Sequence, residues 1–163
     1  MIVKSIGEVN EKEVISFSCG NNDLDTFIRR HALINDKNGY GKTFVLIDEK
    51  EIVGFFTLCS ASIKYDEFPI NESMTFPKYP IPCIKIARLG VRKEKHGRGY
   101  GKELLKQAFL RILNVSSTIG IRLVLVDAKE PSKSFYEKFG FSRLKEDKLS
   151  YYLLIDTLRQ AIY

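Results

Sequence analysis

The chain has 163 residues, 44% hydrophobic and 28% charged, with a formal net charge of +6, which fits a single globular domain over residues 1–163. That balance excludes a disordered chain, a collagen-like repeat and a disulfide-stapled miniprotein. No apolar run approaches the roughly 20 residues of a membrane span and the N-terminus is too polar for a signal peptide, so a cytoplasmic protein without membrane contact is expected.

In chain order, residues 22–35 read as a helix. Asn21 or Asn22 caps it, Asp23 and Asp25 sit in its first turn, and Leu24, Phe27, Ile28 and Ala32 recur on one side. Residues 43–47 and 52–63 read as two strands of a hairpin around the polar turn Asp48-Glu49-Lys50-Glu51. Residues 64–82 hold four of the five prolines and form a long loop. A third strand covers 84–91, a glycine-rich turn follows, and a helix covers about 101–115. Residues 121–128 are almost all apolar, as in a strand buried on both faces. Pro131 and Ser132 open a short helix that stops at Phe139-Gly140, where glycine suits the residue after a helix end. A last strand at 149–155 and a short tail at 157–163 complete the chain. This alternation predicts a mixed α/β fold with an antiparallel N-terminal hairpin in the same sheet.

Cysteine chemistry is not prominent. Cys19, Cys59 and Cys83 are odd in number, widely spaced and free of any CxxC pair, which fits reduced buried thiols better than disulfides or a zinc site. His31 and His96 have no metal-ligand spacing, so no metal is expected.

Charge is concentrated. Residues 81–111 carry nine basic side chains (Lys85, Arg88, Arg92, Lys93, Lys95, Arg98, Lys102, Lys106 and Arg111) against Glu94 and Glu103, so the rest of the chain is close to neutral. Such a segment attracts phosphates of a nucleotide or a nucleic acid, or is a solvated helix face. Within it, Val91 leads into His96-Gly97-Arg98-Gly99-Tyr100-Gly101-Lys102. Alternate glycines after a strand turn the backbone tightly, expose successive N–H groups and feed a helix N-terminus, which makes an anion seat. Arg98 and Lys102 add charge at its rim. Lys102 is followed by Glu103, not Ser or Thr, so this is no Walker A loop, and GxGxG late in the chain is no Rossmann fingerprint.

A second cluster runs from Ala128 to Phe141. Phe135, Phe139 and Phe141 read as core. Tyr136, on a helix after a buried parallel strand, is either a proton donor to a leaving group or a core tyrosine.

With these motifs in place, the sequence resembles the GNAT superfamily of acetyl-CoA-dependent N-acetyltransferases. Arg88-Leu89-Gly90-Val91 with the Gly97–Gly101 turn is similar to its acetyl-CoA motif, with His96 where Gln or Arg is usual. Ser134-Phe135-Tyr136-Glu137-Lys138-Phe139-Gly140-Phe141 is similar to its second motif. A narrower resemblance covers nearly the whole chain, through Phe17-Ser18-Cys19-Gly20-Asn21-Asn22-Asp23-Leu24-Asp25, Thr43-Phe44-Val45, Ile52-Val53-Gly54-Phe55-Phe56, Pro80-Ile81-Pro82 and Val124-Leu125-Val126-Asp127-Ala128. It is to the GNAT toxins of toxin–antitoxin modules, which acetylate the α-amine of aminoacyl-tRNA. The group's RLAVD stands here as Arg88-Leu89-Gly90-Val91-Arg92.

The resemblance implies a GNAT-like fold: the N-terminal hairpin joined to a βαβαβ C-terminal half with a splayed parallel strand pair. It implies acetyl-CoA as cosubstrate, its diphosphate on Gly97, Arg98, Gly99, Tyr100, Gly101 and Lys102 beside His96. The pantetheine arm would lie along Leu89, Gly90 and Val91, with an N–H near Leu89 or Gly90 as oxyanion donor. Tyr136 would be the general acid for the CoA thiolate. No general base stands out, which suits an α-amine of pKa about 8 better than a lysine of about 10.4. The spare cations Arg92, Lys93, Lys95 and Lys106 are candidates for a nucleic-acid backbone. A ribbon-helix-helix antitoxin and a homodimer are further expectations. The competing readings are a GNAT enzyme acting on a small amine or a protein N-terminus, and a non-catalytic nucleotide- or nucleic-acid-binding module.

Overall fold

The structure, a computed structural model, describes residues 1–69, 75–145 and 149–162. Among them seven strands form one mixed sheet: β1 (Ile2–Ser5), β2 (Lys42–Asp48), β3 (Glu51–Ile63), β4 (Ile81–Val91), β5 (Leu123–Asp127), β6 (Ser142–Arg143) and β7 (Ser150–Leu154), in the order β1-β2-β3-β4-β5-β7-β6. The helices are α1 (Glu11–Ile15), α2 (Asn22–Thr26), α3 (Ala32–Lys37), α4 (Tyr100–Ser116), α5 (Glu130–Lys138) and α6 (Ile155–Ile162). The expected mixed α/β class is the one observed. The chain divides into two compact units, Met1–Cys59 with Ala87–Leu110 and Ser60–Ile86 with Arg111–Tyr163.

In the first unit, β1, β2 and β3 form an antiparallel meander, with Ser5 opposite Phe44 and Asp48 opposite Glu51. Glu49 and Lys50 close the β2–β3 turn at φ +48° and +65°. Two left-handed residues match the twist of a hairpin, at a strain that glycine would avoid. The Asn10 side chain caps α1, and the Asn21 carboxamide accepts from the N–H groups of Asp23 and Leu24 at the start of α2. The helix expected over 22–35 is interrupted by a π-helical segment, Phe27–His31, between α2 and α3. Phe17, Phe27, Ile28, Val45, Ile52 and Phe55 form the core here, with Phe17 edge-on to Phe55 at 5.5 Å between ring centres.

Gly54 permits the tightest approach. A Cβ there would lie 2.6 Å from Leu104 Cδ1 of α4 and 2.9 Å from the Gly90 carbonyl of β4. Its absence lets the helix lie directly on β3 and so fixes where the turn before α4 stands.

In the second unit, β4 and β5 pair in parallel from Cys83↔Leu123 to Ile86↔Val126, and β7 pairs antiparallel with both β5 and β6. Leu123, Val124, Leu125 and Val126 are all buried, as an apolar strand covered on both faces must be. Ile63, Phe68, Ile81, Cys83, Leu123 and Tyr152 belong to its core. Pro131 enters the first turn of α5, and Gly140 follows its end at φ +92°.

The structure departs from the sequence reading at several ends. β4 starts at Ile81, inside the expected 64–82 loop, and α4 starts at Tyr100. The expected tail is helix α6 through Ile162, while β1, α1 and β6 have no counterpart in the reading. Within the 64–82 loop, residues 65–67 form a 3-10 turn, and 70–74 lie outside the described residues. No described helix is long and apolar enough to cross a membrane.

Candidate functional site

Gly97 and Gly99 adopt φ +74° and +86°, and a Cβ on either would meet nothing within 4 Å. These glycines therefore serve backbone conformation and open space, not close packing. The His96 amide donates to the Lys93 carbonyl and the Glu103 amide to Gly99. Between them, the six amides from Gly97 to Lys102 donate to no acceptor among the described residues. They precede and begin α4, a 17-residue helix whose dipole adds positive potential at that end. Arg98 and Lys102 are exposed there. A left-handed glycine pair, amides without a described acceptor and a helix N-terminus thus come together in one turn, the kind of geometry that can receive an anion.

Several candidate side chains are committed to holding this turn. The Tyr100 hydroxyl donates to Asp48 Oδ2 at 2.6 Å and ties the start of α4 to the end of β2. That hydrogen bond, to an acceptor that favours the protonated phenol, raises the Tyr100 pKa above its usual value. His96 Nε2 lies 2.8 Å from the Val91 carbonyl, and donating to it fixes the imidazole tautomer. Lys95 pairs with Glu51 at 3.6 Å. Lys93 is exposed, its amide bonds to the Ser18 carbonyl at 2.9 Å, and its stem passes Gly20. Lys106 is exposed.

Arg92 departs from the surface role expected of it, because it is only 9% exposed. Its Nε donates to the Ile52 carbonyl at 2.7 Å and Nη1 to the Ser16 carbonyl at 3.2 Å, with Glu51 3.4 Å away and the Phe17 ring beneath. Its amide bonds to the Val53 carbonyl at 2.8 Å. A guanidinium can be buried at such cost only when its donors are taken up. Arg92 therefore pins the end of β4 to β3 and to the residue after α1. Alternation along the strand gave no sign of this, since a basic run looks the same whether solvated or turned inward.

The Phe17–Asp25 segment is a second structure that sequence reasoning saw only as a helix start. Asp25 is 6% exposed and accepts from Ser18 Oγ at 2.7 Å and from the Cys19 amide at 2.8 Å, with Arg29 3.9 Å away. Burial alone would raise its pKa, but the two hydrogen bonds and the arginine outweigh that and hold it below the usual carboxylate range. Arg29 Nε in turn donates to the Phe17 carbonyl at 2.9 Å. This rigid loop reaches β4, where a Cβ on Gly90 would stand 2.9 Å from Phe55 Cε1 and 3.5 Å from Cys19 Sγ. Cys19 and Cys83 are buried thiols, raised by desolvation to about 11 and about 12, and so not nucleophiles at neutral pH. Cys59 is half-buried. Among the described residues no His, Cys, Asp or Glu cluster could hold a metal.

In the second unit, Tyr136 sits on α5 with its ring against Phe135 and Phe141, at 5.1 and 5.5 Å between centres. The residue is 7% exposed, and burial pushes its pKa up to about 12. Its hydroxyl bonds to no described residue, yet among the described residues no buried side-chain oxygen is left unpaired. The phenol tip therefore reaches solvent while the ring is buried. A protonated, unengaged hydroxyl of this kind can donate a proton to a partner from outside the fold.

A family model described as an acetyltransferase (GNAT) domain matches residues 39–143. The tRNA-acetylating toxin of Mycobacterium tuberculosis is 34% identical over 151 residues, 92% of this chain and 90% of that protein. The protein called "Probable toxin TacT" of Sinorhizobium fredii is 29% identical over 164 residues, 94% and 91% of the two chains. Among solved structures, AtaT complexed with acetyl-methionyl-tRNAfMet superposes with a TM-score of 0.86 at 20% identity, covering 99% of each chain. A tyrosine-to-phenylalanine variant of AtaT, bound to the C-terminus of the antitoxin AtaR and to acetyl-CoA, gives 0.80 at 19% identity over 99% and 97%. With the glycine turn and both motifs inside or beside the matched region, the chain belongs to the GNAT acetyltransferase family.

Proposed function

We propose that this chain transfers the acetyl group of acetyl-CoA to the α-amine of aminoacyl-tRNA and so blocks translation. The observation that carries the donor half is the run of free amides from Gly97 to Lys102 at the start of α4. A diphosphate on those donors meets six N–H groups, the helix dipole and the charges of Arg98 and Lys102. Leu89, Gly90 and Val91 offer strand backbone to the pantetheine arm, and an N–H at Leu89 or Gly90 serves the oxyanion. His96 and Tyr100 shape the turn from within.

Tyr136 is assigned the general acid, with its proton held to about 12. An enzyme with an acid of this kind and no dedicated base suits an amine that is partly neutral already, as an α-amine is near pH 8. The related AtaT structures include a tyrosine-to-phenylalanine variant with acetyl-CoA, which makes Tyr136→Phe the natural control. For the nucleic-acid backbone we assign the exposed Lys93 and Lys106, with Lys95 in a lesser role because of Glu51; Arg92 is withdrawn from that set.

The identity with the M. tuberculosis tRNA-acetylating toxin and the AtaT complexes with acetylated tRNA and with AtaR support the acceptor and a protein antitoxin. A ribbon-helix-helix antitoxin, a homodimer and a cytoplasmic setting complete the reading. The test is an acceptor panel with labelled acetyl-CoA: charged tRNA, the same tRNA deacylated, a polyamine and a peptide with a free N-terminus. Label on charged tRNA alone supports the proposal. Label on the polyamine or the peptide in preference to charged tRNA assigns the chain to another acceptor.

A further inference from the structure

Three arginines surround the Phe17–Phe27–Phe55 cluster of the first unit, and two are consumed by it. Arg29 donates to the Phe17 carbonyl and pairs with Asp25. Arg92 donates to Ile52 and Ser16 and pairs with Glu51. Arg88 is different. Its guanidinium carbon lies 3.7 Å from the centre of the Phe27 ring. No described carboxylate pairs with it and no described acceptor takes its N–H groups. Because no buried side-chain nitrogen among the described residues is left unpaired, those N–H groups reach solvent.

A guanidinium whose carbon sits 3.7 Å over a ring centre has that side covered, while its N–H groups, which reach solvent, stay open to an acceptor. Its orientation is also set in advance, so little freedom is lost when an oxyanion meets that edge. Lysine cannot present such a fork. The platform is itself unusual, since Phe27 opens the π-helical segment, a local irregularity often found at functional positions. Arg88 immediately precedes Leu89-Gly90-Val91, the strand backbone assigned to the acetyl donor.

We infer that Arg88 binds a backbone phosphate of the acceptor, next to the aminoacyl end. This rests on the proposed tRNA reading. An amino acid esterified to tRNA has no free carboxylate, so the nearest fixed anions of that acceptor are the phosphodiesters of its terminal nucleotides. Arg88 is thus an acceptor-binding residue that selects for nucleic acid among amines.

The experiment compares wild type, Arg88→Gln and Arg88→Lys of the full chain on two acceptors: aminoacylated tRNA, and an aminoacyl-nucleoside that has the α-amine but no phosphate. Acetyl-CoA KM and thermal midpoint are measured alongside. The expected result is a tenfold or greater fall in kcat/KM for charged tRNA with Arg88→Gln, at least ten times the fall seen with the aminoacyl-nucleoside. Arg88→Lys should fall in between, and the acetyl-CoA KM should move less than twofold. Equal losses on both acceptors, no loss on either, or a loss confined to the acetyl-CoA KM would each overturn the inference, the last by assigning the phosphate to the coenzyme. If wild type labels the aminoacyl-nucleoside but not charged tRNA, the tRNA reading itself fails and takes this inference with it. If wild type labels charged tRNA and Arg88→Gln does so with the same kcat/KM, only the inference fails.

Discussion

Arg92 donates from Nε to the Ile52 carbonyl at 2.7 Å, joining the residue that follows β4 to a buried position of β3. With the second bond to Ser16, it closes three segments of the first unit around one guanidinium. Arg92→Ala would leave the Ile52 and Ser16 carbonyls without this donor and Glu51 with Lys95 alone, an expected loss of about 2 kcal/mol or more. Chemical denaturation measures it. On the proposed tRNA reading, the salt dependence of tRNA binding should keep its wild-type slope, because the Arg92 guanidinium is taken up by Ile52, Ser16 and Glu51; a slope smaller by about one would contradict this placement.

Gly54 and Gly90 set the spacing of β3, β4 and α4. Gly54→Ala would bring a methyl to 2.6 Å from Leu104 Cδ1 and 2.9 Å from the Gly90 carbonyl, and the carbonyl cannot give way as a side chain can. Gly90→Ala would meet Phe55 Cε1 at 2.9 Å. Overpacking of this kind costs about 1–3 kcal/mol, and Gly54→Ala is expected to be the worse of the two by thermal melt.

The Asp25 carboxylate carries a pH dependence of stability. Its pKa in the fold lies below the ordinary carboxylate value. The stability it adds is therefore fully present above the unfolded pKa of about 3.9 and is lost as pH falls through the lower folded value. Asp25→Asn should flatten the stability curve in that acid range and lower stability at neutral pH. Urea midpoints measured from pH 3 to pH 7 check both. An unchanged acid limb in the variant would show that another carboxylate carries it.

Much of this was legible in the sequence because it rests on local chemistry. The glycine turn is readable since only glycine takes φ near +80° without strain, and the Pro131–Gly140 bracket marks a helix start and stop directly. β5 is readable because four adjacent apolar residues leave no exposed face. The rest depends on partners distant in sequence. Arg92 looks solvated until Ser16 and Ile52 are brought to it, and Asp25 looks like a helix-dipole residue until Ser18 and Cys19 fold over it. β1 is four residues of alternating burial whose ladder is its pairing with β2, distant in sequence. The π-helical segment replaces a regular turn with no proline or glycine to announce it.

Tyr136 predicts the shape of the rate profile. Its phenol, at about 12, stays protonated through the working range. The rate with saturating acetyl-CoA should rise with pH as the acceptor α-amine loses its proton near pH 8, then level off. No fall from tyrosine ionisation is expected below about pH 10. Tyr136→Phe should lower kcat by about a hundredfold or more at every pH, within the range that general acid catalysis supplies, with the rising limb unmoved. A falling limb below pH 9 that disappears in the variant would contradict the buried, high-pKa phenol.

The proposed seat for the coenzyme's diphosphate at Gly97 to Lys102 is tested most directly by calorimetric titration of wild type and Gly99→Ala with acetyl-CoA and with acetyl-pantetheine, which lacks the diphosphate. An alanine at φ +86° strains the turn and re-aims its amides. The predicted result is a tenfold or greater loss of acetyl-CoA affinity with no comparable loss for acetyl-pantetheine. Equal affinities of wild type and variant for acetyl-CoA would contradict it.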